Sequence, residues 1–360
     1  MSTSTLPAPP GRALPEPSAP RTPPAGRDAF LDNAKLLGVV LVVLGHTWGP
    51  LAGDPGQHRA LRAAYILVYT FHMPLFVMIC GWFSRSFAEN ASHPGRLRRL
   101  VTSTLVPYLL FAPAYTLLRN HRQGHWTALQ LLNPWYLTWF LVALFVWRVT
   151  APVWRTVRAP VAVAVAAMLA VGATQPSGDL ALGQVVHFLP FFVLGLTVRP
   201  AHLERLRASR WLRRAAVPVL AAGYACCYHL APSVRTEWLY RRTGHERLHT
   251  GLGTWMLTTT LLAAAAFVLS VAFLALVPRR ENRLTSLGAG SQYTYLLHGL
   301  LVQAALLWGW YRLGFTGTWS GQILLTAAAV ATALLLAVPP VRRLTRWAVE
   351  PEMRWAFRDA

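Results

Sequence analysis

The sequence predicts an all-α polytopic integral membrane protein, with about ten transmembrane helices around a polar cavity and both termini cytoplasmic. Three observations predict it. The 360 residues are 54% hydrophobic and only 13% charged, against roughly 25% charged in an ordinary soluble domain, and the mean hydropathy is +0.37. The apolar residues gather into ten segments at or near the ~20 residues a bilayer asks of a helix. The basic residues are unevenly placed: with the N-terminus inside, 24 fall in cytoplasmic segments and 9 on the opposite side, the bias that orients membrane proteins. The net charge of +21 follows from that bias. Its arginines stand in short runs between apolar segments, so the expected partner is a lipid bilayer and not nucleic acid.

Residues 1–26 contain eight prolines among Ala, Ser and Thr and read as a disordered cytoplasmic tail with nothing to bury. No apolar core precedes Phe30, which argues against a signal peptide. The integral-membrane domain is expected over 27–341, with spans near 30–50, 61–84, 100–118, 131–150, 159–173, 181–198, 214–231, 250–277, 286–313 and 320–341. The fifth is short, and the eighth and ninth are long. Residues 342–360 read as a basic cytoplasmic tail. Lys35 is the only lysine among 34 basic residues; so strong an arginine bias, with abundant Ala and Leu, points to a GC-rich bacterial source and hence a bacterial plasma membrane. Cys80, Cys226 and Cys227 give neither a disulfide framework nor a metal-ligand spacing.

The first span, LDNAKLLGVVLVVLGH (31–46), carries polar groups at both ends. An Asp or Lys at mid-bilayer costs roughly 2.5–3.5 kcal/mol, so such residues usually face a cavity. Lys35 and His46 are eleven residues apart, close to a whole number of turns, and share a face about 16 Å apart along the axis. That spacing suggests one cavity, with a cation at its inner mouth and an imidazole deeper in. Asp32 can pair with Lys35 on the same face. A snorkelling lysine with a satisfied interfacial histidine accounts for the same spacing. Span 2 places His72 mid-membrane beside Pro74, whose freed backbone groups must face protein or a cavity. Span 9 holds Tyr293, Tyr295 and His298. Histidines in three different spans are easier to explain as one lined cavity than as three separate accidents.

These residues carry a resemblance. RDAFLDNAKLLGVVLVVLGH (27–46) followed by FHMPLFVMICGWF (71–83) resembles the membrane-bound acyltransferase-3 family, in particular its fucose 4-O-acetylase-like members. That family is marked by a basic residue, ten residues and a histidine on the first span, as in Lys35 to His46. HFLPFFVLGLTVR (187–199), NPWYLTWFLVALFVWR (133–148) and SLGAGSQYTYLLHGLLVQ (286–303) resemble later family segments in order, so the likeness covers roughly 27–340. Cys80 stands where the family usually shows serine, which removes a hydroxyl there and leaves the close packing at Gly81.

The resemblance implies an O-acetyltransferase that takes acetyl from cytoplasmic acetyl-CoA to a hydroxyl of a carbohydrate or other cell-surface or secreted acceptor. Lys35, Arg85 and the RLRR run with Arg98 and Arg99 are then candidates for the donor's phosphates, although most such arginines also satisfy the positive-inside bias. His46 is the candidate general base, since an unperturbed imidazole titrates near 6.5; an acyl-histidine is the alternative. His72 and His298 are candidates to orient His46, hold the thioester carbonyl or bind acceptor hydroxyls, or else are ordinary satisfied histidines.

Outer loop 232–249 offers Trp238, Tyr240 and Arg241 for an acceptor, or is a plain solvated loop with interfacial aromatics. It also spells H-E-x-x-H at His245, Glu246 and His249, the zinc-protease pattern. The pattern lies in a polar loop beside Gly244 with no evident third ligand, and His121 and His125 share its spacing without support, so no metal is expected. A transporter is the remaining alternative, because polar groups at mid-bilayer also describe substrate pathways; no inverted repeat is evident.

Overall fold

A computed structural model describes residues 28–53, 58–89, 94–174 and 179–357; the proline-rich stretch 1–26 lies outside them. The described residues form helices and turns with no strand. Ten helices lie on the ten apolar segments: α1 (Ala29–Trp48), α2 (Arg59–Phe83), α3 (Val106–Gln123), α4 (Trp139–Thr156), α5 (Pro160–Gly172), α6 (Leu182–Thr197), α7 (Arg210–Leu230), α8 (Leu252–Leu276), α9 (Ser291–Leu307) and α10 (Trp319–Leu335). An eleventh, α11, spans Pro339–Val349. Among the described residues, five helical stretches are long and apolar enough to cross a membrane: Ala29–Trp48, Arg59–Glu89, Gly95–Gln123, Asp179–Thr197 and Leu252–Leu276. A sixth joins them if α10 and α11, bent by 73°, count as one broken span. The chain is thus an all-helical, multi-pass membrane protein, and length and apolarity alone support fewer crossings than ten.

Local chemistry explains where the helices depart from the apolar segments. The fourth segment, expected from 131, becomes helical only at Trp139, because Asn133-Pro134 turns the chain and Tyr136 adopts φ 57°. The ninth opens with a tight turn at Thr285–Gly290 and stops at Gly309, φ 72°. The expected C-terminal tail is partly helix. Pro339 and Pro340 cannot continue α10, yet they suit the first turn of a new helix, so α11 starts there and carries Arg342, Arg343 and Arg346. Asp28 caps α1 by accepting from the amides of Phe30 and Leu31 at 3.0 and 3.4 Å.

The helix α2 is the hub, packed against α1, α6, α7 and α8. It runs through Pro74 without a break. The Ser270 hydroxyl of α8 reaches the Phe71 carbonyl beside that proline at 3.5 Å. Against α6 the two backbones nearly touch. A Cβ on Gly81 would collide with the Phe192 carbonyl, and one on Gly195 with the Met78 carbonyl. Gly195→Val should therefore force α2 and α6 apart and cost at least ~2 kcal/mol. A thermal melt in detergent checks this, and an unchanged melting temperature would contradict the close packing.

Polar side chains tie the helix ends. At one end Asn33 donates to the Pro278 and Arg280 carbonyls (2.9 and 3.2 Å) and accepts from Thr285 (2.8 Å). Arg207 pairs with Asp28, and Gln292 donates to Ser103 at 3.0 Å. At the other end Arg62 spreads its guanidinium over the carbonyls of Ala52, Ala231 and Val234, while Arg59 donates to Tyr228. So the segments expected on the cytoplasmic side meet at one end of the bundle, and those expected outside meet at the other.

Candidate active site

Three helices bring the histidines together. His46 closes the last turns of α1, His72 sits mid-way along α2, and His298 lies in α9. His46 Nδ1 is 3.0 Å from His298 Nε2, and the rings stack with centroids 5.2 Å apart. His298 Nδ1 lies 2.8 Å from the Thr294 carbonyl. A carbonyl only accepts, so Nδ1 of His298 carries the proton. With both rings neutral, His298 Nε2 then accepts from His46 Nδ1–H, and the lone pair on His46 Nε2 is left for another partner. His72 follows the same rule: its Nδ1 donates to the Val68 carbonyl at 2.7 Å, leaving Nε2 as an acceptor. A neutral His72 can take a hydrogen bond from a hydroxyl there but cannot donate one to a thioester carbonyl.

His46 and His72 line a cavity of about 290 Å³, near the lower end of the range for small-molecule sites. His298 is fully buried behind His46. The other polar walls are Tyr65, Tyr69, Tyr136 and Tyr240, with Gln184, Gln303 and Arg242. Tyr65, Tyr69 and His72 stand at i, i+4 and i+7 on α2, one face of that helix, and this spacing was the sequence signal for the two tyrosines. Nothing local signalled Gln184, Gln303 or Tyr136, which join the site from three other segments.

At the opposite end of the bundle a groove of about 1080 Å³ is lined by Arg96, Arg98, Arg99, Arg148 and Arg346, together with Phe83, Gln292, Glu350 and Glu352. Arg98 donates to the Glu352 carbonyl at 2.9 Å, and Arg346 pairs with the Glu352 carboxylate at 2.8 Å. Lys35 is held by Asp32 at 2.6 Å and lies 4.7 Å above the Phe83 ring, at the edge of the groove. Arg85 is not part of the lining: it donates to the Val198 carbonyl at 3.0 Å and stacks on Trp82. Cys80 is half-buried between the two regions on α2.

The expected single cavity from Lys35 to His46 is in fact two. Phe76, Phe140 and Tyr295 pack between them with centroids 5.2–6.3 Å apart. Phe76 rests on Gly38, less than one turn beyond Lys35, and Tyr295 forms part of the upper cavity's lining. Along α2 the gap from Met73 to Phe83 is about 15 Å at 1.5 Å per residue. Bulky side chains fill what helix periodicity alone leaves open.

The outer loop meets its expected roles only in part: Tyr240 lines the cavity, and Arg241 does not. Arg241 takes φ 51° and turns inward over Phe188 and Phe191, where burial lowers its pKa to about 10. Its neighbour Arg242 faces the cavity instead. Residues 245–249 form turns and not a helix, with His249 at φ 49° and His245 Nδ1 donating to the Thr250 carbonyl at 3.2 Å. The H-E-x-x-H residues therefore lack the one-turn stacking that a zinc-protease helix provides.

Among known proteins, the family model for an acyltransferase domain, acyltransferase-3, matches residues 28–338. No curated protein and no solved structure matches the chain.

Proposed function

The chain belongs to the acyltransferase-3 family, and on that premise we propose that it moves an acetyl group from cytoplasmic acetyl-CoA to a hydroxyl of a carbohydrate or other cell-surface or secreted acceptor. In this reading it works in a bacterial plasma membrane, with the arginine-lined groove inside and the His46 cavity open to the outer side. The observation that carries it is the His46–His298 pair, which leaves one basic nitrogen directed away from its protein partner at the wall of a polar cavity.

His46 Nε2 takes the proton of the acceptor hydroxyl as its oxygen bonds to the thioester carbonyl carbon. The carbon–sulfur bond breaks, and His46 returns the proton to the departing thiolate. His298 accepts from the far side of His46 throughout and steadies the charge that forms on it. His72 Nε2 receives a hydrogen bond from the acceptor and helps to align it. Arg98, Arg99 and their neighbours in the groove hold the donor's phosphates by charge-assisted bonds, with Lys35 at the rim. The aromatic layer must part for the acyl arm to reach His46.

His298 is a positioning residue in this scheme. Losing its hydrogen bond to His46 removes about 1–3 kcal/mol, so His298→Ala should lower kcat by roughly ten- to a hundredfold. The acidic limb of the pH–rate profile should move while the donor's KM stays the same. A changed KM with an unmoved profile would make His298 a packing residue only. The reading as a whole is tested by incubating purified protein with acetyl-labelled acetyl-CoA: label should pass to water slowly and to a hydroxyl acceptor faster. Failure of both, together with solute uptake by proteoliposomes, would replace the enzyme with a transporter.

A further inference from the structure

Among the described residues, the His46 cavity has one cation on its walls and no carboxylate, whereas the vestibule beside it carries Glu237 and Glu246. Arg242 lines both this cavity and the outer vestibule, of about 530 Å³, and it shares that double position with Tyr240. Arg247 lines the vestibule but not the cavity, and four other arginines at this end are occupied. Arg62 and Arg59 are spent on backbone carbonyls. Arg235 donates to Leu248 and pairs with Glu237 at 3.8 Å, and Arg241 is wedged over phenylalanines. Arg242 makes no hydrogen bond or ion pair among the described residues, and its one contact of this kind is with the Tyr240 ring at 5.9 Å. It is exposed and faces both the cavity and the vestibule, and partial desolvation holds its pKa below the ordinary arginine value. It also presents a planar fork suited to two oxygens of one acid group.

Resting on the acyl-transfer reading above, we propose that Arg242 is the anion anchor of the acceptor site, so that the acceptor carries a carboxylate or phosphate near the hydroxyl that is acylated. The tyrosines Tyr65, Tyr69 and Tyr240 pack beside it, with Tyr65 and Tyr240 hydroxyls 3.0 Å apart and Tyr65 and Tyr69 rings at 4.2 Å. They give an acceptor's ring a surface to lie on while its acid group meets the guanidinium. An acceptor held there by its charge presents its hydroxyls toward His46 and His72 on the cavity's inner wall.

The test uses the full chain in nanodiscs and three matched probes: methyl glucoside, methyl glucuronide and methyl glucoside 6-phosphate. Calorimetric titration of wild type should show the charged probes binding about tenfold or more tighter than the neutral one, the gain expected of a charge-assisted hydrogen bond. The tighter of the two names the acid as carboxylate or phosphate. Arg242→Ala should bring the charged probes to the level of methyl glucoside, and Arg242→Lys should keep part of the preference. The proposal is overturned if the three probes bind wild type alike, if none binds, or if Arg242→Ala weakens neutral and charged probes by the same factor. Donor turnover by wild-type protein is followed separately. Its absence would remove the acyl-transfer reading whatever the ranking of the probes.

Discussion

Replacing His46 with alanine should lower kcat for acetyl transfer by about 10²–10⁴-fold, the range a positioned general base contributes, while the donor's KM holds. The expectation rests on two distances. The 3.0 Å contact to His298 and the 2.8 Å contact from His298 to Thr294 leave His46 one free nitrogen, on the wall of the cavity. No other histidine there has an imidazole to stabilise the charge it acquires. His72 donates to a backbone carbonyl, so its loss should cost less than that of His46. Transfer and donor affinity for His46→Ala and His72→Ala, measured in one detergent with melts to confirm folding, decide the matter. If the His46 variant keeps more than about a tenth of wild-type kcat, the base is elsewhere, and His72 becomes the first candidate.

Converting Arg98 and Arg99 together to glutamine should raise the donor's KM by roughly ten- to a hundredfold with little change in kcat at saturation. A hydrogen bond to a charged group is worth about 1.5–3 kcal/mol, and the openness of the groove reduces that. Arg99 is exposed and Arg98 half-buried, so salt should matter as well. Raising ionic strength should raise the wild-type KM and affect the double variant less. An unchanged KM would move donor binding away from the groove. Lys35→Ala should act in the same direction but more weakly, since Lys35 is already engaged by Asp32.

What could be read from sequence follows what is local. Hydropathy located ten helical segments, and proline and glycine account for the ends that shifted. The eleven-residue spacing between Lys35 and His46 was legible too, and both side chains turn toward α2: Lys35 over Phe83 and His46 edge-on to Tyr69. The partner of His46 was not legible, because His298 lies 252 residues away and no periodicity links two helices that meet only on folding. Of the adjacent Arg241 and Arg242, the sequence suggested the former for an acceptor. A left-handed backbone at Arg241 sends the two side chains to different environments, and neither composition nor motif encodes that. The split into two cavities was hidden for a similar reason, since it depends on three aromatic side chains from α2, α4 and α9 meeting at one level.

In the proposed topology, that meeting of Phe76, Phe140 and Tyr295 also bears on the membrane itself. A protein with hydrophilic chambers opening toward opposite faces of an energised membrane is a short circuit unless something insulates one from the other. Each charge that crosses dissipates about 2.3 kcal/mol per 100 mV, and a file of water molecules joining the two chambers would conduct protons. With 3%, 7% and 3% of the surfaces of Tyr295, Phe76 and Phe140 exposed, the rings leave little room for such a file. In the proposed reaction the uncharged arm that carries the thioester would have to pass between rings that exclude hydrated ions. On that proposal the barrier works as a filter on charge, admitting a neutral arm without discharging the membrane potential.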